Sequence, residues 1–375
     1  MEKDYPVSLL MKMLELYSPS GQESNISEFL ASEMKRLGFE VARDEVGNVE
    51  GRLGQGSPKF LLCGHMDTVE GKLEVRRRGK VIFGRGAVDA KSPLAAMICA
   101  AIGAHSAGLN GSITVLAVVD EEGKSRGMKH FLSHTRDRYD YAIFGEPSGA
   151  YAVTVGYKGR LVLKVLLRTS PGHASAPQLF ENAVYVASDL VSELRSLNAK
   201  WGEGADQSDL FQSPTLSVTG IKGGMQDNTI PSECELVTDI RVPPSKTLEG
   251  IKDELIEAVG RVASKNPKAE VDSRFADENE PFLEKPDSAL AKAFVESIKE
   301  IKGREGRLSR KTGTGDINDF VKKFPISAVV YGPGNSKLDH TPLENISVEE
   351  LLDSIRIIGS VLRKLSSKRT SSCSC

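Results

Sequence analysis

The sequence lacks a surplus of either charge. Its 49 Lys and Arg face 51 Asp and Glu, for a net charge of −2. That near-balance argues against a nucleic-acid protein, whose phosphate partner calls for a basic excess. It also lacks any apolar run near the roughly 20 residues that a helix needs to cross a bilayer. The first residues, MEKDYPVSLL, are acidic and do not show the basic-then-apolar order of a secretory signal. Cysteine is sparse: Cys63, Cys99, Cys234, Cys373 and Cys375 are scattered, with neither zinc-knuckle spacing nor the density of a disulfide framework. These absences together predict a cytoplasmic protein in a reducing compartment. Cys373 and Cys375 sit on the polar stretch LSSKRTSSCSC, which is expected to be disordered rather than to form a metal site.

What is present is ordinary globular material. Hydrophobic residues make up 39% and charged residues 27% of the chain, enough for a real core. Its 375 residues predict two domains, and no internal repeat is visible. Residues Pro6 to Leu37 read as helix broken by SPSGQES, with Ser20 placed to start the second helix. The runs KFLLCGH, GSITVLAVVD and YDYAIFGEP are short, apolar and bounded by turn residues, as buried strands are. A helix from Pro93 to Ser106 lies between the first two. This alternation predicts an α/β sheet whose ligands bind beyond the carboxyl ends of its strands.

The pattern changes near Tyr151. YAVTVGYKGRLVLKVLLRT alternates strongly and reads as a hairpin-like strand region. A helix from Asn182 to Leu197, two further strands, a helix from Thr247 to Ala263 and the strand KAEVDSRF follow. The order strand, helix, strand, strand, helix, strand is that of a ferredoxin-like α+β sandwich. From Leu283 the α/β pattern returns, with helices at Ala289 to Ile301 and Val348 to Leu365 flanking the Gly-rich KTGTGDIND and the strand PISAVVYGPG. The expected division is a discontinuous catalytic domain, 1–153 and 268–375, with 154–267 inserted into it.

Five polar clusters follow the strands. In GHMDT, His65 precedes Asp67, which can accept the hydrogen bond of the second imidazole nitrogen, as partners of metal-bound histidines do; H-x-D alone is a weak signal. In GRGAVDAK, Asp89 reads either as a helix cap or as a carboxylate shared by two metals. In VVDEEG, acids at a strand end are either a solvated turn or a division of labour, one glutamate binding metal and its neighbour accepting a proton. GEPS contributes Glu146, and DHT contributes His340. Each cluster alone favours the plainer reading. Together they put two histidines and several acids at strand ends of one sheet, a nitrogen and oxygen donor set that suits zinc, and less selectively cobalt or manganese.

The ordered set GHMDT, GRGAVDAK, DEEG, GEPS, PGHASAP and HT resembles the co-catalytic zinc amidohydrolases, the family of carboxypeptidase G, aminoacylase, acetylornithine deacetylase and succinyl-diaminopimelate desuccinylase. The resemblance implies a zinc-peptidase-like catalytic domain with an inserted dimerisation, or lid, domain, and two divalent metal ions, zinc or cobalt. It implies His65, Asp89, Glu122, Glu146 and His340 as metal ligands, with Asp67 orienting His65 and Glu121 as general base. His173, in PGHASAP, matches a histidine that reaches the partner subunit's site and steadies the oxyanion, so a homodimer is implied. Asn228 and Arg241 match positions that bind the substrate carboxylate or the oxyanion.

Within the family, GRGAVDAKSP, GEPSG and VGYKGRL resemble members that release lysine or ornithine from an amino-group carrier protein in lysine and arginine biosynthesis. That implies an acidic carrier as partner, which a basic rim of Lys158, Arg160, Lys164, Arg168 and Lys222 would steer. Asp316 or Asp319 would receive the side-chain ammonium, although a Gly-rich turn with a helix cap explains the same residues. A small-molecule deacylase acting on acetylornithine or related N-acyl amino acids, a di- or tripeptidase, and a binding protein with a dead site are the alternatives. The intact Glu121-Glu122 pair argues against the last.

Overall fold

The computed structural model describes residues 4–204, 206 and 209–368; Cys373 and Cys375 lie outside them. The chain forms two compact units, one of residues 1–156, 284–310 and 315–375, the other of residues 157–283 and 311–314.

The first unit is built on a mixed sheet. Its strands run in the order Glu40–Arg43, Val49–Gln55, Gly111–Val118, Lys59–His65, Tyr141–Phe144, Ser327–Val330 and Ala152–Tyr157. Gly111–Val118, Lys59–His65, Tyr141–Phe144 and Ser327–Val330 are parallel to one another, and antiparallel strands flank them. The parallel strands are buried almost throughout, which is why they read as continuous apolar runs rather than alternating ones. Helix Lys91–Ser106 is apolar on every side and buried continuously from Lys91 to Ala101. It packs beside Val348–Lys368 and Tyr5–Glu15 in the main core. The amine of its buried first residue, Lys91, donates to the carbonyls of Met13 (3.0 Å) and Leu16 (2.7 Å), closing the end of helix Tyr5–Glu15. Burial pushes that amine down to about 7.

A small three-stranded sheet lies apart from this one. Asn345–Ser347 pairs with Val81–Phe83, which pairs with Arg76–Arg78. It brings a segment near the C-terminal helix against the GRGAVDAK loop. Among the described residues no helix is long and apolar enough to cross a membrane.

The second unit has a four-stranded antiparallel sheet in the order Thr215–Gly223, Glu233–Val242, Gly159–Arg168, Glu270–Asn279. Helices Ala183–Gly202 and Leu248–Lys265 close its apolar face, giving the ferredoxin-like arrangement. Two expectations need correction. The alternating run from Tyr151 is not a hairpin, because Ala152–Tyr157 joins the large sheet and Gly159–Arg168 the small one. The inserted unit also extends past 267, because Glu270–Asn279 is its edge strand.

The basic rim is corrected at one residue. Lys158 is fully buried, and its amine donates to the Ser213 carbonyl at 2.6 Å. Burial, and then the Arg241 charge, lower it to about 8. Arg160 pairs with Asp239 at 2.7 Å, and Arg168 lies 3.5 Å from Glu233. Arg160 and Arg168 keep partly exposed side chains, so of the rim residues only Lys158 is withdrawn from solvent.

Candidate metal centre

His65 ends the strand Lys59–His65, Glu121 and Glu122 follow Gly111–Val118, and Glu146 follows Tyr141–Phe144. Three neighbouring parallel strands thus aim their carboxyl ends at one place. His65 is buried. Its Nδ1 is 3.0 Å from the Asp67 carbonyl oxygen and 3.4 Å from Asp67 Oδ1. The expected partner is therefore present, with its main chain closer than its carboxylate. This contact directs Nε2 outward to Asp89 Oδ1 at 3.1 Å and Glu146 Oε1 at 3.7 Å.

Asp89 faces both histidines. While Oδ1 meets His65, Oδ2 is 3.1 Å from His340 Nε2, and that same nitrogen is 2.9 Å from Glu122 Oε1. One carboxylate spans two clusters of donors. His65, Glu121 and Glu146 offer ligand atoms within 4.8 Å of one another, as do His65, Asp89 and Glu122. His340 and Asp120 both hold left-handed backbone at φ 61°, a conformation costly for non-glycine residues and one that recurs at functional sites.

Asp67 organises the glutamates. Its two oxygens accept the backbone N–H groups of Glu121 and Glu122, each at 3.1 Å. Ser20, expected to start a helix, instead donates its hydroxyl to Asp67 at 2.7 Å, and the helix begins at Ser24. The GRGAVDAK loop is fixed from below by a residue the motifs did not point to. Buried Glu344 accepts the N–H groups of Val88 (2.9 Å) and Asp89 (3.0 Å) and pairs with buried Arg85 at 2.9 Å. Gly86 gives this loop its φ of +87°, and a Cβ there would come within 2.9 Å of the Lys91 side chain. Replacing Glu344 by alanine strands a buried guanidinium and two buried N–H groups. Chemical denaturation should show a loss of about 3–5 kcal/mol, and Asp89 should lose its fixed orientation.

The electrostatics call for cations. Burial, then the Glu146 carboxylate, raise Glu121 well above the usual carboxylate range. Burial and Asp89 raise Glu122, and burial pushes Asp316 up to about 7. Hydrogen bonds to Asp89, opposed by burial, raise His340 to about 9. A buried cluster with this many acids is costly unless positive charge answers it. Imidazole and carboxylate donors converging on a shared carboxylate fit divalent metal ions.

Three expected residues belong to the second unit. His173 is exposed on the two-stranded ladder Gly172–His173 with Thr229–Ile230. The Ser175 N–H donates to its Nδ1 at 3.1 Å, so Nε2 carries the proton. Asn228 adjoins this ladder, its carbonyl accepting the Ala174 N–H. Arg241 pairs with Asp239 at 2.6 Å and donates to Thr314 at 3.2 Å.

Comparison with known proteins agrees with this architecture. Residues 61–364 match the model of peptidase family M20/M25/M40. A protein from Sulfurisphaera tokodaii named "[LysW]-lysine/[LysW]-ornithine hydrolase" is 34% identical over 364 residues, covering 96% of each chain. One from Deinococcus radiodurans named "[LysW]-lysine hydrolase" is 29% identical over 365 residues, 95% of this chain and 96% of its own. Among solved structures, a tripeptidase from Staphylococcus aureus superposes with a TM-score of 0.83 at 21% identity, covering 98% of this chain and 99% of that one, which shows the shared fold. By the extent of the family match and the near full-length relatives, this chain is a member of peptidase family M20/M25/M40.

Proposed function

We propose that this protein hydrolyses the amide that links the α-amino group of lysine or ornithine to the C-terminal glutamate side chain of an amino-group carrier protein, releasing the free amino acid in lysine and arginine biosynthesis. The observation that carries this reading is the near full-length similarity to hydrolases named for lysine and ornithine held on LysW. The M20 hydrolase centre supports it.

Two ions, zinc or cobalt, would be held by His65, Glu146, His340 and Glu122, with Asp89 between them. Such ions supply Lewis-acid polarisation of the scissile carbonyl and make water a nucleophile at neutral pH. Asp67 holds His65 in orientation and pins the Glu121-Glu122 backbone. Glu121 accepts the proton of the attacking water and passes it to the leaving nitrogen as the C–N bond breaks. Asp316, a buried acid on the same unit, would pair with the side-chain ammonium of lysine or ornithine. Asn228 and Arg241 would bind the substrate carboxylate or the oxyanion.

We place the enzyme in the cytoplasm as a homodimer. The edge strand Thr215–Gly223 supports the dimer: it exposes Ile221, and an open edge with an apolar side chain favours pairing.

The test incubates the pure protein with carrier conjugates of lysine and of ornithine, with N-acetylornithine and a tripeptide as competitors, and measures free amino acid with and without chelator. Release from a conjugate should exceed that from both small substrates and should stop on chelation. Faster hydrolysis of N-acetylornithine or the tripeptide would place the enzyme among the deacylases or peptidases instead.

A further inference from the structure

A second set of metal donors lies in the first unit, on residues the catalytic reading does not use. His130 and His134 stand one turn apart on helix Arg126–His134, a spacing that puts both rings on one helix face. The rings stack with centroids 4.0 Å apart. Glu45, from the loop after Glu40–Arg43, faces them, and its Oε1 is 3.4 Å from His130 Nε2. Ring nitrogens of both histidines and a Glu45 oxygen lie within 4.8 Å of one another. Donors about 2 Å from a common zinc lie within about 4 Å of each other. The Glu45 side chain is 73% exposed and so is free to adjust to an ion.

The surroundings prepare these donors. His134 Nδ1 lies 2.9 Å from the His130 carbonyl oxygen. That bond assigns the proton to Nδ1 and leaves Nε2 as the ligand atom, the arrangement usual for metal-bound histidine. Asp44, beside Glu45, accepts the N–H groups of Val46, Gly47 and Asn48, so the loop is rigid. Its Oδ2 sits 3.7 Å from His130 Nε2 and adds negative charge behind the site.

We propose that His130, His134 and Glu45 form a further site for a divalent transition-metal ion such as zinc. It is distinct from the catalytic centre and acts as a clamp on the loop that carries Glu121 and Glu122. The clamp acts through Asn48. Its side chain donates to Asp44 (2.7 Å) and to the Gly127 carbonyl (2.9 Å), and its Oδ1 accepts the Val119 N–H (3.0 Å). Val119 and Gly127 are the two ends of the Asp120–Arg126 turn. Gly127 approaches so closely that a Cβ there would meet Asn48 Oδ1 at 2.4 Å. An ion that joins Glu45 to the helix therefore ties the loop holding Asn48 to the far end of the catalytic turn.

The test uses the full chain, stripped by chelator, reloaded with zinc and freed of excess by gel filtration. Zinc per chain is measured by emission spectroscopy, and amide exchange is followed across 119–127. Glu45→Gln and His134→Ala, both at exposed side chains, should each hold one zinc fewer than the unchanged protein. Zinc-dependent protection of 119–127 should be weakened in both. His340→Ala, which alters the catalytic centre, should keep the ion at Glu45. The result is read as a difference between variants, so it does not depend on how many ions the catalytic centre takes. Equal zinc content in the unchanged protein and in both surface variants would overturn the site and leave Glu45 and His130 as an ordinary surface ion pair. Loss of the ion without any change in exchange at 119–127 would overturn the clamp.

Discussion

Replacing Glu121 by glutamine is expected to leave the metal content unchanged and to lower turnover by roughly 10²–10⁴-fold, the usual worth of a general base. The geometry offers Glu121 two roles, since its carboxylate shares a cluster with His65 and Glu146. Metal content and rate together separate them. A base must be able to hold a proton, and burial beside Glu146 raises Glu121 well above the ordinary carboxylate range. A glutamine keeps the size of the side chain and leaves untouched the backbone N–H that Asp67 accepts. Glu122 should therefore stay in place beside His340. The measurement pairs zinc analysis with kcat on the carrier conjugate. Loss of one ion on Glu121→Gln would make the residue a ligand, and a rate within a few-fold of the original would remove it from the chemistry. The companion variant Glu122→Gln should behave in the opposite sense, losing metal first, because its carboxylate touches His340 at 2.9 Å.

Much of this site was legible because its residues sit at the ends of strands that local pattern reveals. KFLLCGH, GSITVLAVVD and YDYAIFGEP are buried on both faces, so they stand out as short apolar runs, and the polar residues after each mark the sheet's carboxyl edge. What remained hidden depends on pairings distant in sequence. Glu344 sits in a polar stretch with no apolar periodicity. It reaches Arg85 only because Asn345–Ser347 and Val81–Phe83, each three residues long, form a ladder. Ser20 reads as a helix starter by its own neighbours, and only the isolated bridge between Pro19 and Thr68 brings it to Asp67. Helix Asp316–Lys323 was hidden for a different reason, as its Gly-rich approach KTGTG looks like loop. The same limit explains the misplaced Lys158. Period-two alternation separates two faces but cannot reveal that the chain passes from one sheet to another around Lys158, whose side chain is buried.

These hidden contacts share one task. Asp67 fixes the glutamates, Glu344 fixes Asp89, and Asn48 fixes both ends of the turn between Val119 and Gly127. The candidate ligand atoms are thus held by hydrogen bonds from several parts of the first unit. Such support preorganises a metal centre, because the ligands need little rearrangement to bind.

Replacing His173 by alanine should lower kcat by about 10²–10³-fold, the cost of removing one oxyanion donor, without altering metal content. The side chain is exposed, and the Ser175 N–H on Nδ1 leaves the proton on Nε2, which can donate. A donor so arranged suits a partner subunit's site, and subunit mixing tests whether it acts there. Each site of a Glu121→Gln dimer lacks its base, and each site of a His173→Ala dimer lacks its donor, so both dimers are nearly inactive. A mixed dimer differs. If His173 serves the opposite subunit, one of its sites carries both lesions and the other carries neither, and activity returns to about half that of the unchanged dimer. If His173 serves its own subunit, every site keeps one lesion and no activity returns. Mixing should be verified with distinct affinity tags on the two chains, so that silence in a purified mixed dimer counts against action in trans. A chain that remains monomeric at assay concentration while fully active would dismiss both the dimer and the shared site.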